Sequence, residues 1–162
     1  MDSNLVSEAV SKLISLKLTV ATAESCTGGL IASSIVDVSG ASECFNEGYV
    51  TYSNEAKMKN LGVKKETLDA YGAVSKETAK EMALGVKEAA NADFGISSTG
   101  IAGPTGGTKD KPVGLIFIAC AFDDSVEVRQ LNLKGDRTSN RNETVKEAIK
   151  LLDYCIRNKE IN

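Results

Sequence analysis

Histidine is absent from this chain. A Ser-His-Asp triad is therefore impossible within it, and so is a His-ligated metal site. A hydrolase built from this sequence must find another base. Tryptophan is absent too, and aromatic residues make up only 5% against a hydrophobic fraction of 42%, so the core is expected to be aliphatic. The chain has only two prolines, Pro104 and Pro112, both in one stretch. The four cysteines, Cys26, Cys44, Cys120 and Cys155, form no Cys-x-x-Cys pair, which points to reduced thiols and a cytoplasmic setting. No apolar run is long enough to span a bilayer, and the N-terminus lacks the order of a signal peptide. The formal charge of -3 gives no general attraction to nucleic acid or an anionic membrane.

What remains is 162 residues, read as one domain over 1–162 with a real core. Residues 3–17 carry Leu5, Val6, Val10, Leu13, Ile14 and Leu16 at helical spacing. Strands are expected at 18–23, 48–52, 94–99, 113–121 and 126–133. Helices are expected after Gly28, after Ser53 or Asn54, at 64–71, at 75–91 behind a Ser75 cap, and after 135–140. The last helix carries Val145, Ile149, Leu152 and Ile156 on one face, and its charged tail beyond Arg157 is expected to fray. Asp123-Asp124 turns the last two strands into a hairpin. The economical fold is a three-layer α/β/α sandwich on a mixed, mainly parallel sheet.

The stretch Thr22-Ala23-Glu24-Ser25-Cys26-Thr27-Gly28-Gly29 follows the first strand and opens a helix. Ligand sites of α/β sheets collect at such strand ends. Ser25 offers a hydroxyl for activation, Gly28 and Gly29 let a ligand approach the backbone, and the helix amides can meet an anion. The plainer alternative is a capped turn. Residues 52–57 and 98–107 follow two other strand ends. Lys57 sits in the first turn of a short helix, where the dipole disfavours an ammonium and burial would lower its pKa further. Neutral Lys57, or Tyr52 as phenolate, can accept the Ser25 proton. Taken alone, each is an ordinary surface residue. Arg137 and Arg141, with the Gly-rich loops, can hold a phosphate. Their plainer role is pairing with Asp136 or Glu143. No Walker lysine motif or dinucleotide fingerprint is present.

The chain resembles the C-terminal domain family of the competence/damage-inducible protein CinA, which includes stand-alone nicotinamide-nucleotide amidases. The resemblance runs from Leu5 to about Leu152. It rests on the Thr22 to Gly29 stretch and on Gly48-Tyr49-Val50-Thr51-Tyr52-Ser53-Asn54-Glu55-Ala56-Lys57. Tyr71-Gly72-Ala73-Val74-Ser75 and Gly100-Ile101-Ala102-Gly103-Pro104-Thr105-Gly106-Gly107 carry it further. So do Lys111-Pro112-Val113-Gly114, Gly135-Asp136-Arg137 and Arg141.

The resemblance implies hydrolysis of the carboxamide of nicotinamide mononucleotide to nicotinate mononucleotide and ammonia. Ser25 would be the nucleophile, with Tyr52 and Lys57 as its activating partners. Substrate and phosphate would be lined by Thr27, Gly28, Gly29, Asn54, Thr99, Gly100, Ile101, Ala102, Gly103, Thr105, Gly106, Gly107, Arg137 and Arg141. Position 105 is often Asp in the family, so Thr105 removes a charge there. A homodimer is implied, with no cofactor, no metal, no nucleic-acid partner and no membrane. The N-terminal nucleotide-processing domain of longer relatives is not seen, so its activity is not expected. Two other readings stand beside this one: a non-catalytic pyridine-nucleotide-binding module, and a structural or partner-binding domain.

Overall fold

The structure, a computed structural model, describes residues 3–161. Helix α1, Ser3–Leu16, turns Val6, Ala9, Val10 and Leu13 into the core and ends where Lys17 turns left-handed, at φ 55°. Strand β1, Val20–Glu24, is buried along its whole length. It leads through the turn at Ser25 into α2, Leu30–Val36. A 3-10 turn, Ala41–Glu43, precedes β2, Phe45–Val50. Three helices follow: α3, Asn54–Leu61; α4, Lys65–Tyr71; and α5, Lys76–Ala89. Ser53 and Ser75 cap α3 and α5 by accepting from the amides of Ala56 and Thr78. Strands β3, Phe94–Gly100, and β4, Leu115–Phe122, are joined by the long loop 101–114. The turn at Asp123 leads to β5, Ser125–Asn132, and α6, Arg137–Ile161, is the last described element.

The sheet order is β2-β1-β3-β4-β5. Strand β1 pairs in parallel with β2 and β3, while β4 pairs antiparallel with β3 and β5. Only β4 therefore runs against the rest. Helices α1, α2 and α6 cover one face over a core that includes Ile31, Ile35, Phe94, Ile116, Ile118, Ile149 and Leu152. Helices α3, α4 and α5 cover the other, over Ala21, Ala23, Leu61, Met82 and Val86. The two layers and the sheet make the expected three-layer sandwich. Full burial of each large aliphatic side chain contributes about 1.5–3 kcal/mol. Gly85 is what lets α5 lie against α3: a Cβ there would stand 1.9 Å from the Leu61 carbonyl oxygen.

Element boundaries differ from the sequence reading at three places that bear on function. Strand β2 starts at Phe45 and stops at Val50, whereas 48–52 was expected. Its register is set by Val20 against Phe45 and Glu24 against Val50, and its last link is the Thr51 amide to the Glu24 carbonyl. Tyr52 thus lies beyond the strand. Strand β1 runs to Glu24, one residue closer to Ser25 than expected. Helix α6 does not fray at Arg157 but continues to Ile161. There Arg157 pairs with Asp153 one turn back, at 2.7 Å, and Lys159 pairs with Asp123.

Candidate active site

Ser25 follows the last residue of β1, at the end of the sheet where β3 also finishes. Its amide donates to the Ser98 carbonyl, 3.0 Å, which ties the turn to the neighbouring strand. Ser25 is 8% exposed. Lys57 belongs to the first turn and a half of α3, and its side chain runs back toward the start of that helix, as helical side chains do. It is only 1% exposed. Its Nζ donates to Ser25 Oγ at 3.0 Å, to the Thr51 carbonyl at 2.8 Å and to the Tyr52 carbonyl at 3.2 Å.

Among the described residues no carboxylate pairs with this buried amine in a salt bridge. Burial therefore disfavours its charged form and lowers its pKa from 10.5 to about 8. When Nζ is neutral, its two N–H bonds remain on the two carbonyls and its lone pair faces the Ser25 hydroxyl. That arrangement turns a weak nucleophile toward a nearby base.

Of the two candidate bases, Lys57 is the one hydrogen-bonded to Ser25. Tyr52 meets Lys57 through its carbonyl, not its hydroxyl, and the residue is 65% exposed at the rim. Cys26, adjacent to Ser25, goes the other way: its side chain joins the core beneath α1, α2 and α6. Burial pushes its thiol up from 9.0 to about 11, so it stays protonated near neutral pH.

Glu24 is the residue that sequence reasoning missed. Its carboxylate, 1% exposed, accepts from Thr27 Oγ1 at 2.6 Å and from the amides of Gly29, Ile31 and Ala32 at 3.0, 3.0 and 2.8 Å. The positive end of α2 is thus filled by an anion of the chain itself. The expectation that the N-terminal amides of α2 meet a ligand anion is corrected accordingly: the Gly29, Ile31 and Ala32 amides already serve Glu24. The Gly28 amide donates to the Ser25 carbonyl, and Gly29, at φ 98°, supplies the left-handed entry to the helix. Thr27 Oγ1 also meets Ser98 Oγ at 2.7 Å. Thr99 donates its hydroxyl to the Ala73 carbonyl. Asn54 is exposed at the start of α3.

The Gly-rich loop is pinned to the first turns of α6. Asn140 Nδ2 donates to the Ala102 carbonyl at 3.0 Å, and Arg137 Nη1 to the Gly103 carbonyl at 2.8 Å. The Ile101 amide donates to the Leu115 carbonyl, and Gly100 closes β3 opposite Ile116. Thr105, Gly106 and Gly107 are exposed at the tip. Arg141, one turn after Arg137, grips the nucleophile turn: Nε donates to the Cys26 carbonyl at 3.0 Å and Nη2 to the Thr27 carbonyl at 2.8 Å. Neither arginine pairs with Asp136 or Glu143. Asp136 instead accepts from the Ser139 amide, and Glu143 pairs with Lys146. A cleft lined by Ala102, Pro104, Val113, Asp136 and Arg137 lies between the loop and α6.

The family described as the CinA C-terminal domain matches residues 2–156. The chain belongs to that family. It is 57% identical over 153 residues to a putative competence-damage inducible protein of Thermoanaerobacter sp. (strain X514), covering 94% of this chain and 37% of that protein. It is 55% identical over 141 residues to a CinA-like protein of Kosmotoga olearia, covering 87% and 34%. The chain therefore spans little more than a third of the curated relatives it matches. Among solved structures, the competence/damage inducible protein CihA from Agrobacterium tumefaciens superposes with a TM-score of 0.92 at 40% identity, over 96% of this chain and 94% of that one. A CinA superfamily protein from Escherichia coli superposes at 0.89 with 36% identity, over 93% and 87%.

Within this CinA-type domain the Ser25–Lys57 pair, the Glu24-filled turn and Arg141 form one connected cluster. Among the described residues no helix is long and apolar enough to cross a membrane, and no group of three or more Cys, Asp or Glu is placed to hold a metal ion.

Proposed function

We propose that this domain hydrolyses a primary carboxamide through Ser25, with Lys57 as its base, and that the substrate is nicotinamide mononucleotide. The observation that carries the reading is the Lys57 amine, buried and set 3.0 Å from Ser25 Oγ, with its remaining donors on two carbonyls. A buried lysine without a carboxylate is costly to a fold, and perturbed amines collect at functional sites.

In the first step Ser25 Oγ attacks the carboxamide carbon as its proton passes to Nζ. The C–N bond then breaks, and the same proton leaves on nitrogen, which departs as ammonia. The nicotinoyl mononucleotide ester of Ser25 is cleaved by water, with Lys57 again taking a proton and returning it to Oγ. The resemblance to nucleotide amidases supports the choice of substrate. Arg137 supports a phosphate subsite, because Nε and Nη2 are left for a ligand once Nη1 has met Gly103. The exposed tip at Thr105, Gly106 and Gly107 lies along the same loop. Tyr52, at the rim, can close over the pyridine ring rather than take the serine proton.

A second reading is a domain that binds a nucleotide or a protein partner without turnover. The comparisons favour it over catalysis: the matched proteins bear names that speak of competence and damage induction, and the chain covers only 37% of the Thermoanaerobacter relative. Purified protein incubated with nicotinamide mononucleotide, with free nicotinamide beside it, separates the two. Ammonia and nicotinate mononucleotide in equal amounts are expected from the nucleotide. Calorimetric binding without ammonia would favour the binding module, and no binding at all would favour an interaction domain.

A further inference from the structure

Nearly every backbone donor around Ser25 is already spent. The Ser25 amide serves Ser98, Gly28 serves Ser25, and Leu30 serves Thr27. Gly29, Ile31 and Ala32 serve the Glu24 carboxylate. Among the described residues, the amides of Cys26 and Thr27 donate to no oxygen of the chain. They are the two that immediately follow the nucleophile. On the opposite side of the same turn, Arg141 holds the carbonyls of these two residues, Cys26 at 3.0 Å and Thr27 at 2.8 Å.

A trans peptide is planar, so fixing the Cys26 carbonyl fixes the Thr27 N–H pointing the other way. A cation on a carbonyl oxygen also polarises the N–H of its own peptide. Gly28, at φ 59°, takes the left-handed conformation that carries the chain through this turn.

We propose that the Cys26 and Thr27 amides receive the negative oxygen formed when Ser25 attacks a carbonyl, and that Arg141 is the positioning residue that sets the Thr27 amide through the Cys26 carbonyl. This rests on the hydrolytic reading of Ser25. It takes Arg141 out of the phosphate site and leaves Arg137 there. The chemistry served is the carbonyl of any acyl group reaching Ser25, with or without a nucleotide attached. Lysine cannot replace the fork, because a single ammonium does not grip two carbonyls in a plane.

The test compares wild type, Arg141→Gln and Arg141→Lys on three probes: nicotinamide mononucleotide, nicotinamide riboside and phenyl nicotinate, an activated ester with neither ribose nor phosphate. Thermal melts establish that each variant is folded, and Arg141→Lys, which keeps the charge, serves if Arg141→Gln is not. Amide turnover is followed by ammonia, and nicotinoylation of Ser25 by mass spectrometry. Loss of one preorganised donor site lowers kcat by about 10²–10³-fold. That loss is expected in both variants and on all three probes, with KM for the mononucleotide within about threefold and an unchanged ratio of nucleotide to riboside.

A defect confined to the mononucleotide, or expressed in KM, would make Arg141 a phosphate ligand and overturn the proposal. So would wild-type acylation rates in Arg141→Gln, restoration by Arg141→Lys, or a wild-type Ser25 that the ester does not acylate. If the ester acylates Ser25 and the variants slow it while the mononucleotide is not hydrolysed, the proposal stands and the assigned substrate falls.

Discussion

Lys57 Nζ stands 3.0 Å from Ser25 Oγ in a site where the lysine is almost wholly buried. The amine is held from behind by the carbonyls of Thr51 and Tyr52. Its proton is lost at about 8 because burial disfavours the ammonium. The working form is the neutral one, so turnover should climb as pH rises through about 8 and level off above it. A pH–rate profile of kcat/KM that is flat from 7 to 9 would remove Lys57 as the base.

The same shift has a consequence for stability. An unfolded lysine keeps its proton up to 10.5, whereas folded Lys57 releases it at about 8. Between those values the unfolded state binds more protons, so Lys57 adds stability as pH rises, and that stability is lost as pH falls through 8. Cys26, raised from 9.0 to about 11, acts in the opposite direction only above 9. Denaturant titrations from pH 8 to 9 should therefore show a rise in wild-type stability that is smaller in Lys57→Met. Equal slopes in the two proteins would contradict the burial argument.

Arg137→Gln tests the phosphate subsite. One charge-assisted contact is worth about 1.5–3 kcal/mol, so KM for the mononucleotide should rise by roughly 10- to 100-fold while the riboside is little affected. Equal effects on the two substrates would place the phosphate elsewhere.

Glu24→Gln keeps the shape of the side chain and removes the charge that fills the start of α2. Replacing the carboxylate turns a side-chain NH2, itself a donor, toward backbone amides that also donate. A loss of about 2–3 kcal/mol is expected, read as a fall in Tm of roughly 4–12 °C. An unchanged Tm would mean that the turn does not depend on this anion.

Cys26→Ala should remain active, because the thiol packs in the core and burial keeps it protonated near neutral pH. Its cost should appear in stability, within the range of about 0.5–3 kcal/mol usual for single substitutions. Loss of turnover with an unchanged melt would move the nucleophile from Ser25 to Cys26.

The layers of the fold were readable because local signals agreed with one another. Ser53 and Ser75 stand where caps are needed, β3 and β4 are continuous buried runs, and Asp123-Asp124 marks the hairpin. Strand β2 was misplaced because Phe-Asn-Glu-Gly-Tyr-Val lies at a sheet edge, where alternation is weak and only pairing with β1 sets its limits. Ser25 and Lys57 were readable as candidates, since both residues fall at strand ends or in a first helical turn.

The partners of Glu24 and Arg141 were not readable. A glutamate closing a strand carries no sign that it will fold back onto the helix after the turn. The grip of Arg141 joins residues 115 positions apart in the chain. Such a contact is a product of the packed α6, not of any local pattern.

The central claim is a covalent step at Ser25, and trapping that step tests it most directly. Wild type and Ser25→Ala are mixed with nicotinamide mononucleotide, quenched in acid within the first turnover, digested and mapped by mass spectrometry. The expected result is a nicotinoyl mononucleotide adduct on the Ser25 hydroxyl of the wild type, with no adduct and no ammonia from Ser25→Ala, whose affinity for the nucleotide stays largely intact. An adduct on Cys26, or full ammonia release by Ser25→Ala, would contradict it.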